Sequence, residues 1–579
     1  MWKEGTDKNI EDWGQIAIKK TAWTKWRMKK SVTEALQAEA KIREEIQSVF
    51  SLKTEDLVSK RLYPLSWMWD ESMDNIYMID WEIREFDWES VEVYSSFNID
   101  MEKKSAWIEI ESDRVLIWKY PKLTEKEALE ALDAAVKAYD DGEWKWPSAD
   151  PDERIEMMLG FMNHMYLNKK WIVELLMAEI WKNREDAEKE FDRTIEYIVE
   201  TVQTYNEMIK EAWEIREVWW LLTKKILTPT WPTLCMGPYN YPLNETFTTL
   251  IPALLSWNTI IYKPAKFWVL FNAYLMHSFM ECFPKWVVNV ITWEWKTIIP
   301  PIMESWKIVN FAFIWTDRVA DDLVKKHPYP HILNPVLWLG AKNPWIIMPG
   351  CDINNAVDHS LSWNLSYNWQ RCTAHKINFL HTSIKEEFLT KYLEKFSKLK
   401  FWYPFAEWSK FTPIPDSSHI EYLKRLLNDA VSKWAKIMNP GWWYVYWLYM
   451  HPAILTWVTP DMDIYHLEQF GPIVPFVDYK DINEVKEYVK KSRYGQQASI
   501  FYWDESNEKE VKDMKRFLVR QVWRLNENTQ CQRSPDSLPF SWRKHSALRI
   551  LSLRDAIEEF TMPVVVAASA KGGTVGKWL

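Results

Sequence analysis

A chain of 579 residues is too long for one hydrophobic core, so two or three domains are expected. Its composition, 47% hydrophobic and 26% charged, describes a globular protein and excludes a disordered one. A net charge of -9 without a dense basic block gives no reason to expect nucleic acid or an anionic membrane as a partner.

The chain opens on Met1-Trp2-Lys3-Glu4-Gly5, charged and followed by no apolar run, so no signal peptide is expected. No stretch reaches the roughly 18 apolar residues of a membrane span. Residues 1–75 carry a charged helical pattern, clearest at Glu34-Ala35-Leu36-Gln37-Ala38-Glu39-Ala40, and are expected to form a helical extension without chemistry of its own. From residue 76 to about 120, alternating runs such as Val91-Glu92-Val93-Tyr94 and Val115-Leu116-Ile117-Trp118 predict strands. Amphipathic helices are predicted over 123–140, 151–182 and 184–214. Beyond Leu227, short apolar runs alternate with helices, as at Thr259-Ile260-Ile261-Tyr262, Val287-Val288-Asn289-Val290-Ile291 and Phe311-Ala312-Phe313-Ile314. This alternation predicts an α/β protein with a parallel sheet flanked by helices. The five cysteines, Cys235, Cys282, Cys351, Cys372 and Cys531, show no C-x-x-C spacing, so neither a disulfide framework nor a metal site is expected, and a reducing cytoplasm is.

Chemistry concentrates at Asn368-Trp369-Gln370-Arg371-Cys372-Thr373-Ala374. Taken alone, a cysteine is more often a small buried hydrophobe than a nucleophile. Its neighbours reverse that weighting, because the run resembles the G-Q-R-C-T-A of aldehyde dehydrogenases, with Trp369 in the place of Gly. The resemblance extends over roughly residues 75–565. It includes Gly237-Pro238-Tyr239-Asn240-Tyr241-Pro242-Leu243, Pro252-Ala253-Leu254-Leu255-Ser256-Trp257-Asn258-Thr259, Tyr262-Lys263-Pro264-Ala265, Glu468-Gln469-Phe470-Gly471-Pro472, Pro539-Phe540-Ser541-Trp542-Arg543-Lys544 and Glu558-Glu559-Phe560-Thr561.

The resemblance implies a mechanism. Cys372 would attack the aldehyde as a thiolate and form a thiohemiacetal, from which hydride leaves to a nicotinamide. Asn240 and the cysteine's backbone N–H would hold the oxyanion. Lys263 would contact the adenosine ribose, Glu468 the nicotinamide ribose and Phe470 the nicotinamide ring, while Trp315 holds the place of the glycine at the pyrophosphate. Lys266 stands where NAD-preferring relatives carry Glu, so NADP is expected and NAD less so; alone, Lys266 reads equally well as a surface charge. Within the superfamily the chain is most similar to non-phosphorylating, NADP-dependent glyceraldehyde-3-phosphate dehydrogenases. In these the counterparts of Tyr241, Arg371 and Arg533 bind the substrate phosphate.

The implied fold has a Rossmann-like NADP-binding domain over 76–340, with an oligomerisation hairpin near 211–230. An α/β catalytic domain over 341–540 follows, then a C-terminal return and β oligomerisation arm over 541–579. A homodimer or homotetramer is expected.

Two departures matter. In Leu337-Trp338-Leu339-Gly340-Ala341-Lys342-Asn343-Pro344, Trp338 occupies the place of the family's general-base Glu. This keeps open a CoA-acylating semialdehyde dehydrogenase, whose acyl group leaves to a thiol, and an inactive scaffold with the same fold. The second departure is compositional: 40 Trp stand beside 13 Gly, where an ordinary chain of this length would hold about 40 Gly. Trp257, Trp293, Trp295, Trp315, Trp345, Trp369, Trp523 and Trp542 all occupy family glycine positions, whereas Trp146 in Trp144-Lys145-Trp146-Pro147 matches a family Trp. Glycine is required there for positive φ or close backbone approach. The expectation is that UGA codons read as Gly in the source organism have been written as Trp.

Overall fold

The computed structural model describes residues 75–86, 88–98, 114–267, 269–399, 411–441, 445–446, 448–503, 508–541 and 543–569. The expected extension over 1–75 (but for Asn75) and Trp542 lie outside these. Two large sheets organise the chain. In the first, strands Val288–Val290, Ile260–Lys263, Thr233–Met236, Asn310–Ile314 and Asn334–Trp338 run parallel in that spatial order. Antiparallel strands finish both edges: Ile76–Ile79 with Glu82–Glu85 on one side, and Ala547–Leu548 on the other. Every residue of Thr233–Met236, Ile260–Lys263 and Asn310–Ile314 is buried, as a parallel sheet covered on both faces requires.

The second sheet orders its strands Lys436–Ile437, Ala453–Thr456, Ile473–Tyr479, Ile377–His381, Pro344–Ile347, Gln497–Phe501 and Arg524–Glu527. All its pairings are parallel except the first. A third, three-stranded sheet joins Thr561–Ser569 to the hairpin of Leu221–Pro229 and Arg216–Val218. The chain's last described segment therefore returns across the first sheet and pairs with the hairpin.

The helices follow the predicted pattern with one correction. The run expected as one helix over 151–182 is two, Pro151–Leu167 and Lys169–Ile180, broken at Asn168 (ψ 7), whose amide turns back to His164 O at 2.9 Å. Helices Glu125–Tyr139 and Arg184–Ala212 form close to their expected positions, each started by a side-chain cap, Thr124 and Asn183.

In the first sheet the chain steps from Thr233–Met236 outward in one direction and from Asn310–Ile314 in the other. The crevice beyond the carboxyl ends of these two neighbours is where an open parallel sheet binds ligands. Gly237–Tyr241 leaves one of these ends and Trp315 the other, so the motif segments converge there.

Asn258 ties down the opposite, amino ends of the first sheet's strands. Its Oδ1 accepts from Thr230 N, Thr230 Oγ1 and Trp231 N, each at 3.1 Å, and its amide donates to Ala253 O, Ser256 O and Phe560 O at 3.2, 3.1 and 2.8 Å. Asn258→Ala leaves several buried polar groups unpaired, at about 1–3 kcal/mol each. The expected loss is about 3 kcal/mol of unfolding free energy in urea titration, and a loss below about 1 kcal/mol contradicts the assignment.

Candidate active site

Cys372 lies in the loop that feeds strand Ile377–His381. The loop is entered through three successive left-handed residues, Tyr367, Asn368 and Trp369, with φ of 47, 52 and 60°. Such backbone is costly for non-glycine residues and persists only where surroundings enforce it. Here Asn368 exchanges hydrogen bonds with Thr412, and Tyr367 Oη donates to Ile180 O at 2.8 Å. The amide of Asn343, from the end of Leu337–Asn343, donates to Cys372 O at 2.8 Å and Ala374 O at 3.1 Å. On the other side, Asn240 Nδ2 donates to Gln370 O at 2.8 Å, and Tyr239 Oη donates to Gln370 Oε1 at 3.0 Å. The structure thus brings Asn240 and Cys372 to one loop, from segments about 130 residues apart. An amide carries two N–H groups, so Asn240 holds the loop and retains a second donor.

Cys372 is half-buried, and burial pushes its thiol up to about 12, with the charges of Glu245 and Glu468 adding to the rise; the Gln496 amide and Lys376 oppose it. Gln496, Asn343 and Lys376 are site residues that motif matching did not single out. A buried cation two residues from a family motif, as Lys376 is, was the available signal. The Lys376 ammonium donates to Trp369 O at 2.8 Å and lies 3.4 Å from Glu468 Oε1 and 4.7 Å from the Phe470 ring. Glu468 Oε2 accepts from Ala341 N at 3.1 Å, and burial raises this carboxyl above its usual range.

Of the residues expected at a dinucleotide, Lys263 ends one strand of the first sheet and Trp315 directly follows another. Lys263 ends its strand buried, donating to Pro264 O at 2.9 Å, and burial lowers its ammonium to about 8. Lys266 is exposed, over the Phe267 ring at 5.5 Å. Tyr239 centres an aromatic group, its ring 5.3 Å from Trp315, 6.1 Å from Phe470 and 6.2 Å from Phe267. Trp315, 40% exposed, puts an indole just where the first sheet's crevice opens. No ligand group is needed to see the conflict. A helix start meant to receive phosphate needs exposed N–H groups rather than a bulky ring.

A cavity of about 1170 Å³ opens beside Arg371 and Tyr241. Eight carboxylates line it against four lysine and arginine side chains, so its mouth is acidic. Arg371 stacks 5.2 Å from the Tyr241 ring. Arg533, expected on the substrate phosphate, requires correction. It is 4% exposed, its guanidinium is 2.6 Å from Glu245 Oε2 and 3.1 Å from Asp536 Oδ1, and a phosphate would have to displace one of them. Arg193, which sequence reading missed, reaches the same Asp536 at 2.9 Å and lines the cavity. Burial would raise Asp536, but Arg533 and Arg193 overcome it and hold the carboxyl low.

The tryptophans separate into two kinds. Among the described residues, nineteen non-glycine residues have positive φ, and ten of them are Trp: 81, 181, 219, 257, 286, 293, 306, 369, 434 and 457. Three expected glycine positions, Trp257, Trp293 and Trp369, are in this group; Trp295, Trp315, Trp345 and Trp523 are not, so positive φ is not their requirement. Trp345 is instead fully buried in strand Pro344–Ile347, stacked 4.5 Å from His375. Trp338, at the general-base position, is buried against Phe540 at 5.7 Å. The indole N–H groups of Trp338, Trp345 and Trp369 are buried without a partner, whereas Trp146 donates to Asn258 O at 3.1 Å.

If burial governs Cys372, its alkylation by iodoacetamide rises about tenfold per pH unit from about pH 7 to about pH 10, because only thiolate reacts. A plateau near pH 8 indicates an activated thiolate and overturns this reading.

Comparison with known proteins agrees with the geometry. The lactaldehyde dehydrogenase of Methanococcus aeolicus is 24% identical over 79% of this chain and 95% of its own length. The NADP-dependent glyceraldehyde-3-phosphate dehydrogenase of Streptococcus equinus is 26% identical over 72% of this chain and 86% of its own. A crystal structure of the NADP-dependent glyceraldehyde-3-phosphate dehydrogenase from Bacillus halodurans, complexed with NADP, superimposes with a TM-score of 0.76 at 23% identity, covering 86% of this chain and 99% of that one. The profile of the aldehyde dehydrogenase family matches residues 102–566. With more than half its length so matched, and two mostly parallel sheets in place, this chain belongs to the aldehyde dehydrogenase family.

Proposed function

We propose that this protein oxidises a small hydroxylated aldehyde, D-glyceraldehyde 3-phosphate first among them, to its acid (3-phosphoglycerate) with NADP. The observation that carries the reading is the hydrogen-bonded pairing of the Asn240 segment with the Cys372 loop. Cys372 adds to the aldehyde carbon, and Asn240 with the cysteine's backbone N–H holds the oxygen as it becomes anionic. A bound nicotinamide would supply the hydride acceptor, leaving a thioester on Cys372 for water to cleave. Lys263, Trp315 as a glycine, Glu468 and Phe470 would hold the dinucleotide, and the exposed Lys266 would favour a 2′-phosphate. NADP-dependent function is carried in the names of the Streptococcus equinus and Bacillus halodurans proteins. Tyr241 and Arg371 would receive the substrate's polar end, with Arg533 behind them. Among the described residues no helix is long and apolar enough to cross a membrane. The three-stranded sheet, which exposes Trp219, Trp220, Val564 and Val565, would pair protomers in a homodimer or homotetramer.

Trp338 in place of a carboxylate favours one second reading, transfer of the acyl group to CoA. NADPH absorbance separates the two. Glyceraldehyde 3-phosphate is expected to give NADPH without CoA, faster than with NAD and faster than from D-glyceraldehyde. Turnover only with CoA supports the second reading. No turnover of either aldehyde, with or without CoA, leaves a scaffold. Arg371→Ala is expected to raise KM for the phosphorylated substrate by about tenfold or more, from loss of a charge-assisted contact of about 1.5–3 kcal/mol. Equal losses on both aldehydes would make Arg371 structural.

We also propose that the glycine-position tryptophans are glycines in the protein as the cell makes it. One strained backbone position costs on the order of 1–3 kcal/mol, and a domain has about 5–15 kcal/mol in total. The left-handed tryptophans alone exhaust that margin. UGA at codons 257, 315, 369 and 542 supports the proposal, and UGG at those codons sinks it.

A further inference from the structure

Beneath Tyr241 lies a charged pair shut off from bulk solvent, with Glu190 at the wall of the cavity that Tyr241 and Arg371 also line. Lys182 and Glu190 are both 0% exposed, and their side chains are ion-paired. Glu190 belongs to the long helix Arg184–Ala212, and its Oε1 accepts from Leu243 N at 3.0 Å and Asn244 N at 3.1 Å. These N–H groups open helix Asn244–Leu255, whose N-cap residue Leu243 supplies no side-chain acceptor. A helix start leaves its first N–H groups unpaired and carries partial positive charge, so an incoming carboxylate satisfies both. Glu190 is thus a cap delivered from another helix.

Lys182 completes the arrangement. Its ammonium lies 3.4 Å from the Tyr241 ring centroid and 4.9 Å from that of Tyr367. Tyr241 follows Asn240 directly, and Tyr367 begins the left-handed turn that leads to Cys372. One buried pair therefore grips both sides of the active cleft: the segment carrying the amide and the loop carrying the sulfur. Asp186 and Arg371 are the other charged groups that Lys182 faces.

We infer that Lys182 and Glu190 are positioning residues that set the register of the Asn240 amide against the Cys372 loop, where Asn240 Nδ2 meets Gln370 O at 2.8 Å. Their contacts are with Tyr241, Tyr367 and the start of helix Asn244–Leu255. The inference rests on the reading of Asn240 as the oxyanion donor. A displacement of about 1 Å at a reacting centre can cost on the order of a hundredfold in rate, so the register is worth holding rigidly.

The test is the pre-steady-state burst of NADPH, which reports thioester formation, in the full-length protein with glyceraldehyde 3-phosphate and NADP. Glu190→Gln keeps the side-chain shape but loses the charge paired with Lys182. The burst rate is expected to fall about ten- to a hundredfold, with KM for NADP within about twofold. In the double variant Glu190→Gln/Asn240→Ala, the rate should be no lower than in Asn240→Ala alone, because Glu190 acts only through that amide. An unchanged burst in Glu190→Gln overturns the inference, and so does a double variant whose losses multiply, which marks a general structural role. A normal burst in Asn240→Ala instead refutes the oxyanion reading beneath it. Should Glu190→Gln fail to fold, the Lys182 series decides. Lys182→Met must slow the burst and Lys182→Arg must restore it; equal rates in both overturn the proposal.

Discussion

The site depends on a loop that has to be both irregular and buried. The residues from Gln370 to Lys376 make neither helix nor sheet, and an unpaired backbone N–H or C=O out of reach of water costs as much as a lost hydrogen bond. Side chains supply the missing partners: Asn240 on Gln370 O and Asn343 on Cys372 O and Ala374 O from other parts of the chain, and Lys376, at the loop's own end, on Trp369 O. Asn343 also accepts from Gln497 N at 3.1 Å, which ties the loop to the neighbouring strand. The groups that make the loop stable are therefore the groups that aim it. Catalytic geometry and satisfaction of the backbone are the same set of contacts here.

Charge in the surrounding walls is arranged in closed pairs. Arg533 sits between Glu245 and Asp536, Arg193 meets Asp536 from the long helix, and Lys182 meets Glu190 below. A buried ion is tolerable only when paired and hydrogen-bonded. These pairs link helix Arg184–Ala212, helix Asn244–Leu255 and the segment Arg533–Asp536, which is how residues far apart in sequence form one rigid cleft. Arg193 and Arg371 both line the cavity, among the carboxylates that make its wall acidic.

Ten of the described tryptophans sit on left-handed backbone, the conformation that glycine adopts most readily. A left-handed φ is imposed by hydrogen bonding and chain direction, as at the turn through Tyr367, Asn368 and Trp369. Tryptophan is a poor occupant of such a position on two counts: its Cβ strains the backbone, and its N–H needs a partner when buried. Trp146, absent from the left-handed set and with a bonded N–H, carries neither penalty.

The sequence alone determined the superfamily and singled out Cys372 and Asn240, because those residues lie in short contiguous runs whose spacing is set by local backbone requirements. It also determined the parallel-sheet architecture, since buried strands read as unbroken apolar runs such as Ile260–Tyr262 and Phe311–Ile314. The break at Asn168 was hidden because apolar periodicity continues across it. Only the tertiary structure decided the partners. Arg533 in the sequence is a free cation available for phosphate; in the fold it is held between Glu245, which is 288 residues away, and Asp536. Glu190, Lys182, Arg193 and Gln496 carry no local signature, since what they do depends on which helix or strand lies across from them. A side chain's chemistry is written in the sequence, but whether its charge and hydrogen bonds are already spent is settled by what packs against it.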